Sequence, residues 1–268
     1  PATSVAAGQT GKLAAQYYVG PKDQYRMREI AEGLDLTVDY GFLWWLSQPL
    51  FYLLTVIHSI FANRGVAIIG LTVIVKALLY PLSAASYRSM AKMRKLQPEM
   101  ARLKDHYGDD RQQFSQAMMD LYKKEGANPV AGCLPIILQI PIFFAVYKML
   151  FVSIEMRHAP FIGWIKDLSA PDPTSLFNLF GLIPWDPPSF LMIGLWPIFM
   201  GLSMYVTQKL NPTPPDPIQA KIFMVFPFFI TILLASFPAG LVIYWTTNNV
   251  LSALQQWVIV RKTTVRTK

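Results

Sequence analysis

The sequence predicts an all-α polytopic membrane protein: a five-helix transmembrane bundle with a cytoplasmic helical hairpin and an outer interfacial helix. Three observations predict it. The chain has 268 residues, 53 % of them apolar, and five apolar runs of 16 to 22 residues stand out, close to the length that crosses a bilayer. Lys and Arg are unevenly spread, nine from Arg88 to Lys124 and four after Val260, against two, Arg157 and Lys166, between Ser153 and Ser189. Cationic loops stay in the cytoplasm, so the first two regions are assigned there. The basic segment, finally, keeps a helical apolar period while its hydropathy drops.

In chain order, residues 1–40 read as a flexible lead-in and a short extracytoplasmic piece, with AAQYYVG strand-like and GPKDQ turning into a helix. The stretch is too short to fold alone. Without a basic-then-apolar start, the chain is expected to be a fragment whose export signal lay upstream. Residues 41–65 fit an interfacial amphipathic helix on the outer face better than a sixth span. Its polar residues Ser47, Gln48, Thr55, His58 and Ser59 recur at helical spacing, and Trp44 and Trp45 sit at one end.

The first span is 66–85, VAIIGLTVIVKALLYPLSAA. Residues 86–128 make the hairpin. Tyr87, Met90, Met93, Leu96, Met100, Leu103 and Tyr107 line its first arm, Gly108-Asp109-Asp110 supplies a stop and a new cap, and Phe114, Met118, Leu121 and Tyr122 line the second. Pro98 is expected to kink the first arm, and Gly126-Ala127-Asn128-Pro129 to end the second. A second span, 129–152, contains Pro135 and Pro141 and is expected to bend. The loop 153–188 carries Trp164, Trp185 and several prolines, which suits an outer interface. Spans at 189–209, 222–237 and 238–260 follow, with a cytoplasmic loop at 210–221 and a basic cytoplasmic tail at 261–268. Five spans running from outside to inside satisfy every loop. The N-terminus is then outside and the C-terminus cytoplasmic.

Lys76 lies near the middle of the first span, where a lysine costs roughly 2.5 to 3.5 kcal/mol and marks function more often than packing. It stands some nine residues from the end of the run, on the order of 13 Å at the helical rise, further than its stem reaches. The other spans contain no Asp or Glu to pair with it. They are instead rich in neutral polar groups: Gln139, Ser203, Thr207, Gln208, Thr246, Thr247, Asn248, Asn249, Gln255 and Gln256. A cation in a hydrated polar groove is the reading that follows, against snorkelling or carbonyl pairing.

The hairpin's apolar stripe can zip its two arms together. Its methionines and cations, Met90, Met93, Met100 and Met118 with Arg94 and Lys95, also fit a recruitment surface for varied apolar partners. The same cations suit a topology signal, anionic lipid or ribosomal RNA. Cys133 is the sole cysteine and cannot form an intrachain disulfide. No phosphate loop, Ser/His/Asp grouping or metal-spaced His/Cys set occurs, and the three histidines are scattered. Neither an enzyme, a cofactor nor a metal is expected. A channel or secondary carrier for small solutes using the midplane lysine is the alternative, although no internal repeat accompanies it.

Three segments, VIVKALLYPLSAASYRSMAKMRKLQPEM, NPVAGCLPIILQIPIFFAVYKML and FPAGLVIYWTTNNVLSALQQ, together resemble the YidC family of membrane protein insertases, over about Lys12 to Arg261. The resemblance implies a Gram-negative source and makes 1–40 the remnant of a periplasmic domain. It further implies insertion and folding of inner-membrane proteins through a groove open to cytoplasm and lipid and closed outside. Lys76 would receive the hydrophilic segment of a passenger. Thr72, Ile140, Phe143, Tyr244 and Trp245 would line the groove and its lipid-facing slide. Many bacterial members have arginine at the Lys76 position, and lysine lacks the bidentate fork. Implied partners are nascent membrane proteins, the ribosome, the Sec translocon (SecYEG and SecDF), the signal recognition particle pathway and the lipid bilayer.

Overall fold

The computed structural model describes residues 4–108, 110–127, 129–185, 187–188, 191–212 and 216–265. Two compact units divide the chain, Pro1–Val38 and Asp39–Lys268.

In the first unit, Asp23 caps helix α1 (Gln24–Ile30), its carboxylate accepting from the Tyr25 and Arg26 amides at 3.0 and 3.2 Å. A 3₁₀ turn at Leu34–Thr37 folds back, and Arg28 pairs with Asp35 at 2.9 Å. The expected strand AAQYYVG is irregular, and among the described residues there is no strand to pair with it.

The second unit is helical. Helix α2 (Trp44–Phe61) buries Leu50, Phe51, Leu54 and Ile57, leaves Trp44 and Trp45 exposed, and packs on α3 (Arg64–Leu78) and α6 (Pro129–Val152). Its polar stripe is not uniformly wet: Ser47 is fully buried and donates to the Ala145 carbonyl of α6 at 3.1 Å.

The apolar run 66–85 is not one helix. Helix α3 ends at Leu78 and α4 (Tyr80–Tyr107) begins after Leu79, the two bent by 69°. Pro81 causes the break, because it offers no N–H to the carbonyl of Ala77 and its ring crowds that turn. By length and hydropathy no single helix among the described residues qualifies to cross a bilayer, whereas the bent pair does.

Helix α4 runs through Pro98 without interruption and ends at Gly108, at φ +53. Asp110 caps α5 (Arg111–Lys124), accepting from the Gln112 and Gln113 amides. Asp109 and Asn128 lie outside the described residues, as do the side chains of Cys133 and Pro135. Helix α6 continues through Pro141.

Helix α7 (Leu195–Leu210) starts later than the sequence predicts, and Ser189 and Phe190 lie outside the described residues. Asp216 caps α8 (Pro217–Leu234) five residues before the expected start. Large apolar residues such as Ile222, Phe223, Val225, Phe226, Phe228 and Phe229 are exposed round α8, a surface that calls for an apolar environment.

The last helix, α9 (Ala239–Val265), takes in most of the predicted tail, with Arg261 over the Trp257 ring at 5.2 Å. Residues 266–268 lie outside the described residues. Packed on α3, α4 and α7, α9 is the hub of the unit, and it meets α6 along a short contact.

Candidate functional site

Lys76 lies on α3 where α6 and α9 converge. Its stem is buried at 9 % exposure, and Nζ donates to Ser252 Oγ of α9 at 2.7 Å and to Gln139 Oε1 of α6 at 3.4 Å. Ser252 in turn donates to the Asn248 carbonyl one turn back at 2.7 Å and is hydrogen-bonded to Tyr87 of α4. Gln139 Nε2 donates to the Tyr244 hydroxyl at 3.1 Å. Among the described residues no carboxylate lies within 4.0 Å of Nζ. An ammonium group has three donors, so one remains unclaimed there.

Beside this network an open cleft of ≈ 340 Å³ is lined by Val73, Lys76, Ala77, Tyr80, Leu251 and Gln255. Gln255 Nε2 donates to the Lys76 carbonyl at 3.4 Å, while its Oε1 is buried without a partner among the described residues. The cleft wall therefore carries one cation, Lys76, and a glutamine whose buried carbonyl oxygen has no partner among the described residues. Tyr244, Asn248, Ser252 and Gln255 fall at helical spacing on one face of α9.

The expected polar set does not form one surface. Ser203, Thr207 and Asn249 join α7 to α9 instead: Asn249 Nδ2 donates to Ser203 Oγ at 3.2 Å, and Thr207 Oγ1 to the Ser203 and Asn249 carbonyls at 2.8 and 3.4 Å. Asn249 follows Asn248 directly, and because adjacent helical positions diverge by about 100° it is turned from the Tyr244, Asn248 and Gln255 face toward α7. Gln256 ties α9 to the end of α7, donating to the Leu210 carbonyl and to Asn211 Oδ1. Thr72 is buried and donates to the Ile68 carbonyl at 2.7 Å, so its hydroxyl is used within its own helix.

Of the expected slide, Ile140 is half exposed and Phe143 packs edge-on against Trp245, ring centroids 4.6 Å apart. Tyr147 and Phe151 continue the aromatic row along α6. Tyr244 faces Gln139 and belongs with Lys76 rather than with this row.

In the hairpin, Leu96, Met100, Met118 and Ala127 form a buried cluster with Met93, Phe114, Leu121 and Tyr122 around it. Met100 and Met118 are thus spent on zipping the arms together, where their flexible thioethers fill the gap. Met90 packs on Ala84, Tyr87 and Ile259 at the hairpin base. Arg94 and Lys95 are exposed, and so is Met119. Among the described residues no group of His, Cys, Asp and Glu is arranged to hold a metal ion.

Two family descriptions match the chain, "60Kd inner membrane protein" over residues 56–266 and "YidC periplasmic domain" over residues 1–53. Curated relatives described as membrane protein insertase YidC include those of Pelagibacter ubique, 60 % identical over 87 % of this chain and 42 % of its own, and Agrobacterium fabrum, 53 % identical over 97 % and 44 %. The relative from Brucella suis is 51 % identical over 98 % of this chain and 44 % of its own. The chain thus spans less than half the length of these relatives. A crystal structure of an active YidC insertase with its first transmembrane domain resolved shares the fold, with a TM-score of 0.60 at 24 % identity over 88 % of this chain and 53 % of that one. With a family description covering most of its residues and the same helical fold, the chain belongs to the YidC family of inner membrane proteins.

Proposed function

We propose that this chain is the membrane-embedded part of an insertase that moves integral membrane proteins into the bacterial inner membrane. The observation that carries the reading is Lys76, a buried ammonium with no carboxylate within 4.0 Å among the described residues, held by Ser252 and Gln139 beside an open cleft. A structural lysine would be paired, since a buried charge without a counter-ion is costly.

In this reading the cleft takes the hydrophilic segment of a passenger and shortens the dry distance that its polar groups cross. The passenger's apolar helix leaves into lipid along Ile140, Phe143 and Trp245. Burial of some twenty apolar residues, at about 25 cal/mol per Å², drives the step without ATP. The loop 153–188 and the N-terminus face the periplasm, and the hairpin and C-terminus face the cytoplasm, as the distribution of Lys and Arg requires. Nascent membrane proteins are the substrates. The ribosome and the signal recognition particle pathway deliver them, with Arg94, Lys95 and Met119 as the accessible part of the hairpin, and the chain acts alone or with the Sec translocon.

The test is reconstitution of the full-length protein into liposomes, offered in parallel a small single-span protein and a panel of small solutes. Insertion without solute flux is expected. Solute flux without insertion would establish the carrier reading instead.

A further inference from the structure

The outer loop carries an apolar tip that the groove does not use. Phe177, Leu179, Phe180, Leu182, Ile183 and Trp185 each leave 42 % to 82 % of their surface uncovered. From Thr174 to Ile193 the sequence has one formal charge, Asp186. Leu179 and Phe180 both adopt the left-handed backbone region, at φ 48 and 60, where residues with a side chain are strained. Strain spent on displaying apolar side chains calls for a partner that covers them.

The tip satisfies its own backbone. Phe180 N–H donates to the Ser175 carbonyl at 2.9 Å, Leu179 N–H to Leu176 at 3.1 Å and Ile183 N–H to Asn178 at 3.0 Å. A segment that enters lipid must do this, because no water is there to take up its amides. The base of the tip is fixed to α7: Leu176 N–H donates to the Ile193 carbonyl at 3.0 Å and Ser175 Oγ to the Leu191 carbonyl at 3.2 Å, immediately before the helix begins. Along its length α7 itself exposes the apolar residues Phe199, Leu202 and Val206.

We propose that residues 176–185 form a lipid anchor that enters the outer leaflet beside the outer end of α7. The near absence of charge, the aromatic content and the attachment of the tip just before α7, a helix with exposed apolar residues of its own, all select a bilayer over an aqueous protein partner. The side of the membrane rests on the orientation proposed above, whereas lipid contact rests on the tip itself.

Two single-cysteine variants test this in the full-length protein, otherwise free of cysteine through Cys133→Ser: Leu182→Cys at the tip and Lys166→Cys, an exposed position in the same loop. Each is labelled with an environment-sensitive fluorophore in proteoliposomes. At position 182 the emission should shift to the blue and be quenched about twofold more by lipids with a shallow nitroxide than by aqueous iodide, with the reverse at 166. Iodide quenching at 182 as strong as at 166 would overturn the anchor, and protection from both quenchers would overturn it in favour of a protein cover or a second copy. In right-side-out vesicles, a membrane-impermeant thiol reagent should label Lys166→Cys from outside. Labelling from the inner face would overturn the orientation and the outer-leaflet assignment even where quenching by lipid persisted.

Discussion

The Asp172 carboxylate accepts the backbone N–H of Trp196, in the first turn of α7, at 2.9 Å. Its other oxygen takes the Trp164 indole N–H at 3.0 Å and the Thr174 amide and hydroxyl at 2.9 and 2.7 Å, while Thr174 Oγ1 accepts from Leu195 N–H. A buried carboxylate thereby satisfies the orphan amides of a helix N-terminus, where negative charge is also favoured by the helix dipole. The same loop reaches other helices. The Ala170 and Leu168 carbonyls accept from the Ala239 and Gly240 amides opening α9, and Asn63, the N-cap of α3, donates to the Phe161 carbonyl.

Asp172→Ala should therefore destabilise the fold by ~1–3 kcal/mol per stranded donor, less any recovered by water. Gly194→Ala should act in the same direction, because a Cβ there would sit 2.5 Å from Asp172 Cγ although the backbone, at φ −74, tolerates any residue. Both are read as a lowered Tm in detergent. A Gly194→Ala melt equal to the parent's would mean that the carboxylate can move aside.

Asp167 gives the loop an acid response. Burial works to raise its pKa, but hydrogen bonds from the Ser169 amide and hydroxyl and the neighbouring His158 outweigh that and hold it below the usual carboxylate range. A lowered folded value means that the stabilisation is complete above the unfolded pKa of about 3.9 and is lost as pH falls through the lower folded value. Protease sensitivity of the loop should rise in that window, and Asp167→Asn should remove the pH dependence. An unchanged acid profile in the variant would assign the response to another group.

In the hairpin, packing and the proposed recruitment fall on different residues. Met100→Ser and Met118→Ser should loosen the arms, at a cost of ~2 kcal/mol or more for a buried methionine, and expose them to protease. Met119→Ser, at an exposed position, should leave the hairpin intact. If the hairpin recruits passengers, Met119→Ser with Arg94→Ser and Lys95→Ser lowers insertion while the fold persists. Deleting residues 89–121 should then abolish insertion without unfolding the membrane helices. Insertion at the normal rate after the deletion would make the hairpin a tether.

Lys76 with Gln139 and Gln255 was legible from sequence because a charge in an apolar run demands polar neighbours, and the other apolar runs are rich in amides, these two among them. Ser252 was not, since a lone hydroxyl among helical residues carries no signal until the face of α9 turned toward α3 is known. Reading hydropathy alone carried the first span across Leu79. Pro81 held the information that breaks it, and an average over twenty residues conceals one missing N–H. The distribution of amides over two faces of α9 was equally hidden, because composition counts side chains without assigning them to faces. Met100 and Met118 show a related limit: a methionine stripe reads the same whether it meets a partner or its own second arm.

The charge on Lys76 is the property that separates a receiving groove from a packed bundle. Where the ammonium attracts acidic or polar passenger segments, Lys76→Arg keeps insertion, and Lys76→Ala weakens it most for passengers with acidic extracellular tails. Lys76→Glu is worst, by on the order of tenfold or more, since ~1.4 kcal/mol of repulsion suffices for that factor. Ser252→Ala, which removes the 2.7 Å partner, should lower insertion less than Lys76→Ala, because Gln139 remains to orient the stem. A dry structural lysine predicts the opposite pattern. Lys76→Met keeps the stem and removes the desolvation cost, so it would stabilise the bundle by ~1–4 kcal/mol and leave insertion of every passenger class unchanged. Measuring Tm and insertion yield together for these variants decides between the two, and a Lys76→Glu protein that inserts acidic-tailed passengers at the parental rate would end the groove reading.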